Sequence, residues 1–341
     1  MESLAQGLHH VTLVTGSYAV NKRFYTEVLG LRQVKLSVNQ DDIFHRHAFY
    51  ANPDKPTGSA ITFFEWPQLP QGFPGLGSPH HVAYRVVSFE GLANWFKWLR
   101  RHGLDVKGPY LGHGLVSVYF RDPDGVLIEL TVADEGFEKA YVEEFFAEAE
   151  SPSGLDSSMK ILRFDHVSPL AMEADLVKRF LEKFLFLKDV SVVGSGDRVW
   201  LEVVRDGEVF IRYLVDPAAE EGFVGIGSVH HFAVAVETEE DQKTILQKLR
   251  SAGVINSGII DRHWFKSLYF RDIYGNLLEV ATVGPGYDVD EPRETMGSRL
   301  VLPPWLEPMR NIIEAKLSER DRENIRAWRP EYPAVEEPPE P

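Results

Sequence analysis

Along Val229 to Val236 (VHHFAVAV) the side chains alternate in size, with His230, Phe232, Val234 and Val236 on one side and His231, Ala233 and Ala235 on the other. Neighbouring side chains of a β-strand point to opposite faces, so this run predicts a strand with one bulky face and one small face. A helix can cover the bulky face, and the small face leaves a space, which places His231 at a cavity. Near the start of the chain, His9, Val11 and Leu13 alternate with His10, Thr12 and Val14, and a third run has Asp165 followed by His166. By the same reasoning the second position of each pair, His10 and His166, is the one that faces a cavity.

The following segments alternate in a longer period. Glu90 to His102 (EGLANWFKWLRRH) carries apolar residues at helical spacing and is followed by a glycine, then by β-rich runs separated by turn signals such as Asp122-Pro123-Asp124-Gly125. The expected order is β-α-β-β-β.

This order repeats. Gly77 to Val82 (GSPHHV) matches Gly227 to Phe232 (GSVHHF) at a shift of 150 positions, and the same shift maps Leu99 to Gly103 onto Leu249 to Gly253 and Val118 to Leu130 onto Leu268 to Val280. A second match, at a shift of 156, relates His9 to Leu31 with Asp165 to Leu187. Four units follow, opening near His10, His81, His166 and His231. A unit of this size cannot bury both faces of its own sheet, so units should pair around shared cavities. The predicted fold is α+β: four βαβββ modules forming two incomplete barrels of curved mixed β-sheet flanked by helices. Residues 1–135 hold two modules and residues 161–285 the other two. Residues 136–160 lie between them, and Glu135 to Ser158 reads either as a helical linker or as a covering segment. Residues 286–341 form a C-terminal arm, expected to pack over the second half, and its acidic, proline-rich end, Val335 to Pro341, is expected to be disordered.

Composition narrows the chemistry. The chain of 341 residues carries a formal charge of −15 and has no block of lysines or arginines, so a nucleic-acid backbone has little to bind. It has no cysteine, which removes disulfides, thiolate catalysis and thiolate metal sites, so any metal must be held by His, Asp or Glu. No apolar run approaches a membrane span, and the expected location is the cytoplasm.

The last strands of the second and fourth units each place a carboxylate between apolar neighbours, Glu129 between Ile128 and Leu130 and Glu279 between Leu278 and Val280. Each lies 48 positions after a cavity histidine, His81 and His231 respectively. A buried carboxylate demands a partner. The first and third units lack it; counting from Gly58 and Gly207, the equivalent positions are Thr62 and Ile211. Pairing a unit that has the glutamate with one that lacks it gives two histidines and one carboxylate, a set that binds divalent iron or manganese and leaves positions open, and that zinc could also occupy. Taken singly, a strand histidine is more often a hydrogen-bonded core residue, and a ring of structural histidines is the plain alternative. The recurrence and matched spacing favour a metal.

These residues resemble the vicinal oxygen chelate superfamily, which includes glyoxalase I, bleomycin-resistance proteins and extradiol dioxygenases. Within it the chain is most similar to ring-cleaving dioxygenases that act on hydroquinones, through Gly7 to Gly16, Phe24 to Asp42, Gly227 to Val234, Asp261 to Thr282 and the tail Gly286 to Pro308 with its LPPWLEP run. The resemblance extends to about Leu317. It implies metal ligands at His10, His231 and Glu279, a non-haem Fe(II) cofactor (Mn(II) as the substitute, Zn(II) as an adventitious occupant), and a small aromatic diol and O₂ as substrates. The residues by themselves leave His166 open as an alternative to His10. Catalytic positions implied by the resemblance are His9, Thr12, His230, Arg262 and Tyr269, with Tyr269, His9 and His230 as candidates for proton transfer and Arg262 for anion stabilisation. Arg262 has Gly112 as its counterpart in the second unit and would otherwise be an ion-pair partner of Asp261 or Asp272; Tyr269 has Tyr119. His81, Glu129 and His166 would make a second such set, either a relic or a second metal site. The competing readings are a glyoxalase-type isomerase or lyase and a binding protein for a small aromatic ligand. A homodimer is the expected assembly.

Overall fold

The computed structural model describes residues 4–195, 198–323 and 332–335. Apart from Val335, the end expected to be disordered lies outside the described residues.

Two curved mixed sheets carry the chain. From edge to edge, the first contains Asn256–Asp261, Phe265–Arg271, Leu277–Pro285, Val229–Val236, Ala5–Thr15, Ala60–Glu65, Asp42–Ala51 and Arg32–Asn39. The second contains Val190–Ser195, Arg198–Arg205, Glu208–Val215, Ile161–Ser168, His81–Val86, Leu127–Ala133, Leu115–Arg121 and Lys107–Gly112, with the short Leu170–Ala171 beside Glu208–Val215. At the centre of each sheet the opening strands of two units pair antiparallel, Ala5–Thr15 with Val229–Val236 and His81–Val86 with Ile161–Ser168. Each sheet therefore takes one unit from each half of the chain, the first with the fourth and the second with the third. This is the α+β arrangement of four βαβββ modules that the repeat predicts.

The two connections between units run side by side, with Phe73 bridged to Phe223. Gly75 and Gly222 meet there so closely that a Cβ on Gly75 would stand 2.3 Å from the Gly222 nitrogen. Only glycine allows that approach.

Helices cover the outer faces for the reason the alternation gave. Glu239–Ser251 buries Ile245, Leu246 and Leu249 in the same core as Phe232, Val234 and Val236, and begins with Thr238 and Asp241 capping one another. Phe89–Arg101 buries Leu92, Trp95, Phe96 and Leu99, and Ser88 Oγ accepts its first-turn hydrogen bond from the Gly91 nitrogen at 3.0 Å. The segment between the halves forms the helix Lys139–Glu148, whose Val142 and Phe146 are buried and whose Phe145 ring lies 4.9 Å from that of Phe89. It is a covering segment. No helix among the described residues is long and apolar enough to cross a membrane.

The C-terminal arm touches both halves of the chain: Trp264 Nε1 donates to Asp290 Oδ2 at 2.8 Å, and the Tyr287 ring meets that of Phe265. It packs over the first unit and closes the edge strand Arg32–Asn39: the Val301 nitrogen donates to the Leu36 carbonyl at 2.9 Å, and Leu302, Leu306, Ile313 and Leu317 cluster around Val38. Lys35 holds it there. Its side chain is completely buried, and its Nζ donates to Asp290 Oδ1 and Glu291 Oε2, each at 2.6 Å. A buried ammonium needs that pairing, and an open sheet edge needs a cover.

Candidate metal centre

Strand register assembles the site. His10 pairs with Ala233 and Ala233 with Glu279, while Thr12 pairs with His231. Paired residues share a face, so both imidazoles and the carboxylate project to the same side, and the methyl group of Ala233 leaves room between them. His10 Nε2 and His231 Nε2 lie 3.2 and 3.0 Å from Glu279 Oε2. The other carboxylate oxygen, Oε1, accepts a hydrogen bond from Ser267 Oγ at 2.5 Å. Oε2 is buried and has no donor in good geometry. Burial alone would raise the Glu279 carboxyl; His10 and His231 outweigh it and hold the group well below the usual carboxylate range. Three ligand atoms within 4.8 Å of one another, one of them an orphaned anionic oxygen, form a set that a divalent cation completes. The residues fit a metal.

The histidine doublets orient this set. His9 Nδ1 lies 2.8 Å from His10 Nδ1, and His230 Nδ1 lies 2.8 Å from His231 Nδ1. When the shared proton is on the inner ring, each inner histidine keeps its Nε2 lone pair for the centre. Burial, and then the neighbouring inner histidine, lowers His9 and His230 to about 3, so both are neutral.

A cavity of about 310 Å³ opens beside His10 and His231, walled by Phe49, Phe64, Trp264 and Phe265. His230, Arg262 and Tyr269 also line it. Arg262 pairs with neither Asp261 nor Asp272: its Nη1 and Nη2 grip Asp41 at 3.1 and 2.7 Å, which holds the guanidinium 5.5 Å from the centre of the Tyr269 ring. Tyr269 pairs with Glu279 across the strands, and its ring centre lies 5.6 Å from that of His231. Burial and then the Glu279 charge raise its phenol, which keeps its proton at neutral pH.

His9 and Thr12 stand behind the cavity. The His9 ring packs against Phe265 and Tyr287, and Thr12 Oγ1 meets Thr62 Oγ1 at 2.8 Å, which in turn meets His47 Nε2 at 2.8 Å. His10 and His231 line the cavity, and so does His230, which the alternation set on the other face of its strand. The site also holds polar residues that the sequence reading does not name, among them Ser267, His47 and Asp41. Ser267 was detectable, because Ser117 repeats it at the shift of 150; His47 has no counterpart that marks it.

The second sheet repeats the triad. His81 Nε2 and His166 Nε2 lie 3.1 and 3.4 Å from Glu129 Oε2, and Ser117 Oγ donates to Glu129 Oε1 at 2.6 Å. Arg212, and not Ile211, stands at the position of the carboxylate in the third unit. The residue that corresponds to Thr62 is Arg212, since Thr62 pairs with Thr12 while Ile211 pairs with Val167, which sets Arg212 opposite Ser168. A bulge between Gly207 and Ile211, where Val203 pairs with Ile211 but Val204 with Val209, inserts one extra residue and moves the equivalent position from Ile211 to Arg212. Ile211 belongs to the core.

The sequence model of the Glyoxalase/Bleomycin resistance protein/Dioxygenase superfamily matches residues 7–130 and 175–280. The chain belongs to this superfamily. It is 33% identical over 318 residues to the Bacillus subtilis protein named "Putative ring-cleaving dioxygenase MhqA", covering 91% of this chain and 98% of that one. Over 316 residues it is 24% identical to the chlorohydroquinone/hydroquinone 1,2-dioxygenase of Sphingobium indicum, covering 90% and 94%. A crystal structure titled "putative dioxygenase", also from Bacillus subtilis, superposes with a TM-score of 0.79 at 31% identity over 93% of this chain and 97% of that one. Maize glyoxalase I, at 14% identity and a TM-score of 0.56, shares the superfamily fold.

Proposed function

We propose that this protein is a metal-dependent ring-cleaving dioxygenase that opens a hydroquinone or a related dihydroxyaromatic with O₂, at a centre held by His10, His231 and Glu279. The observation that carries the reading is the donorless Oε2 of Glu279, faced by two imidazole nitrogens at the base of an aromatic-walled cavity. The volume of that cavity is at the small end for ligand sites and suits a single substituted ring. The names of the relatives support the same reaction class. Fe(II) is the metal of this reading, with Mn(II) as the substitute and Zn(II) as an adventitious occupant.

Bound Fe(II) would supply the Lewis acidity that ionises the diol and the electrons that activate O₂. The chain supplies the rest. Phe49, Phe64, Trp264 and Phe265 hold the ring and keep bulk water from it. His230, neutral and on the wall with its Nδ1 committed to His231, presents its Nε2–H to a substrate oxygen, and Tyr269 offers its phenol proton to oxygen as negative charge develops there. Arg262, fixed by Asp41, stabilises that charge. His9 and Thr12 position His10 and His47 and do not touch the substrate. A carbon–carbon bond of the ring breaks, and both atoms of O₂ enter the product.

Supplying the Fe(II)-loaded protein with hydroquinone in air and under argon tests this. Ring opening, followed by absorbance, is expected in air and must stop under argon. Turnover of an α-keto hemithioacetal that continues under argon would point to a glyoxalase-type isomerase instead, and ligand binding unaffected by chelator would point to a binding protein.

A further inference from the structure

The two triads are copies in their ligands and differ in what surrounds them. Position for position, Thr62 in the first sheet becomes Arg212 in the second, and Phe49, the strand neighbour of Thr62, becomes Glu202, the strand neighbour of Arg212. Arg212 is buried and its Nε donates to Glu202 Oε1 at 2.9 Å. Its Nη1 stands 3.5 Å from His166 Nε2. His166 Nδ1 is 2.8 Å from Asp165 Oδ1; a proton there is the one the carboxylate can accept, which leaves Nε2 as an acceptor for the guanidinium. A lone-pair nitrogen and a carboxylate oxygen thus share a buried space beside a positive charge, as they would beside a metal. Glu129 Oε2 also lies 3.1 Å from His81 Nε2.

The mouth differs as well. Tyr119 and Leu127 correspond to Tyr269 and Leu277, which line the open cavity of the first sheet. In the second sheet Val335 is buried against Tyr119 and Leu127, and its nitrogen donates to Asp105 Oδ2 at 2.9 Å.

We propose that the His81, Glu129 and His166 cluster is a filled copy of the metal centre, in which Arg212, held by Glu202, takes the place of the cation, so that the chain binds a single divalent metal. This rests on the reading of the first centre as the metal site. A metal entering the second cluster would meet a guanidinium that cannot lose its charge, and would have to displace it from both His166 and Glu202.

Metal content measured after anaerobic loading with Fe(II), or with Mn(II), tests the proposal on the full chain. The wild type should hold one ion per chain, and His231→Ala should lose it. The double variant Arg212→Thr with Glu202→Phe, which gives the second cluster the neighbours of the first, should hold one ion more than its parent, and adding His166→Ala should remove that ion. Arg212→Thr alone is the companion variant, in case the Phe is not accommodated. A wild type with a second ion that His166→Ala removes would overturn the proposal, as would folded variants, verified by circular dichroism, that gain nothing. The gain is read against the parent, so it is decided whatever the first centre holds. Failure of the first-centre reading would show separately, as a metal content indifferent to His231→Ala.

Discussion

His230 and His231 are joined through their Nδ1 atoms, 2.8 Å apart, so the outer ring fixes the rotation and the tautomer of the inner one. His9 and His10 repeat this relationship on the partner strand. Neighbours in sequence thereby cooperate: the inner imidazole presents Nε2 to Glu279, and the outer one holds it there.

If this is the role of the outer rings, removing one loosens the metal without removing a ligand. His9→Ala is expected to weaken Fe(II) or Mn(II) binding by roughly 10–100-fold with the fold intact, measured by competition with a chelating dye. His9→Gln, which keeps a hydrogen-bonding group in the position, should recover part of the loss.

Tyr269 acts on oxygen and not on the metal. Tyr269→Phe should lower kcat by about 10²–10⁴-fold, the range of a general acid, while metal content and KM change little. Because burial raises its phenol, Tyr269 keeps its proton through neutral pH, and the activity of the wild type should not decline there on its account.

Metal binding should also appear as stability. At a free metal concentration about 100 times Kd, binding adds about 2.7 kcal/mol, which thermal unfolding detects as a rise in Tm. Glu279→Gln should abolish the rise, and His81→Ala should leave it.

The C-terminal arm offers a test independent of the centre. Lys35→Met would leave Asp290 and Glu291 without their buried cation, a change of the kind that costs about 3–5 kcal/mol. Urea unfolding should show that loss, and limited proteolysis should cut the arm first.

Much of this was legible in the chain. The repeats located the modules, the alternation of Phe232 and Val234 with Ala233 and Ala235 separated the helix side of the strand from its other side, and the matched spacing located Glu129 and Glu279. What stayed hidden depends on register and on contacts distant in sequence. One bulged residue after Gly207 was enough to hide Arg212 behind Ile211, because a shift of one reverses the faces of a strand. The grip of Asp41 on Arg262 spans 221 positions and that of Glu291 on Lys35 spans 256, and no local pattern announces either.

The central claim is that chemistry occurs at the sheet formed by the first and fourth units. It is tested most directly by the initial rate of O₂ consumption with hydroquinone for the Fe(II)-loaded wild type, His10→Ala and His166→Ala. The account predicts uptake by the wild type and by His166→Ala and none by His10→Ala. Uptake that survives in His10→Ala and disappears in a folded His166→Ala would contradict it and place the reaction in the second sheet.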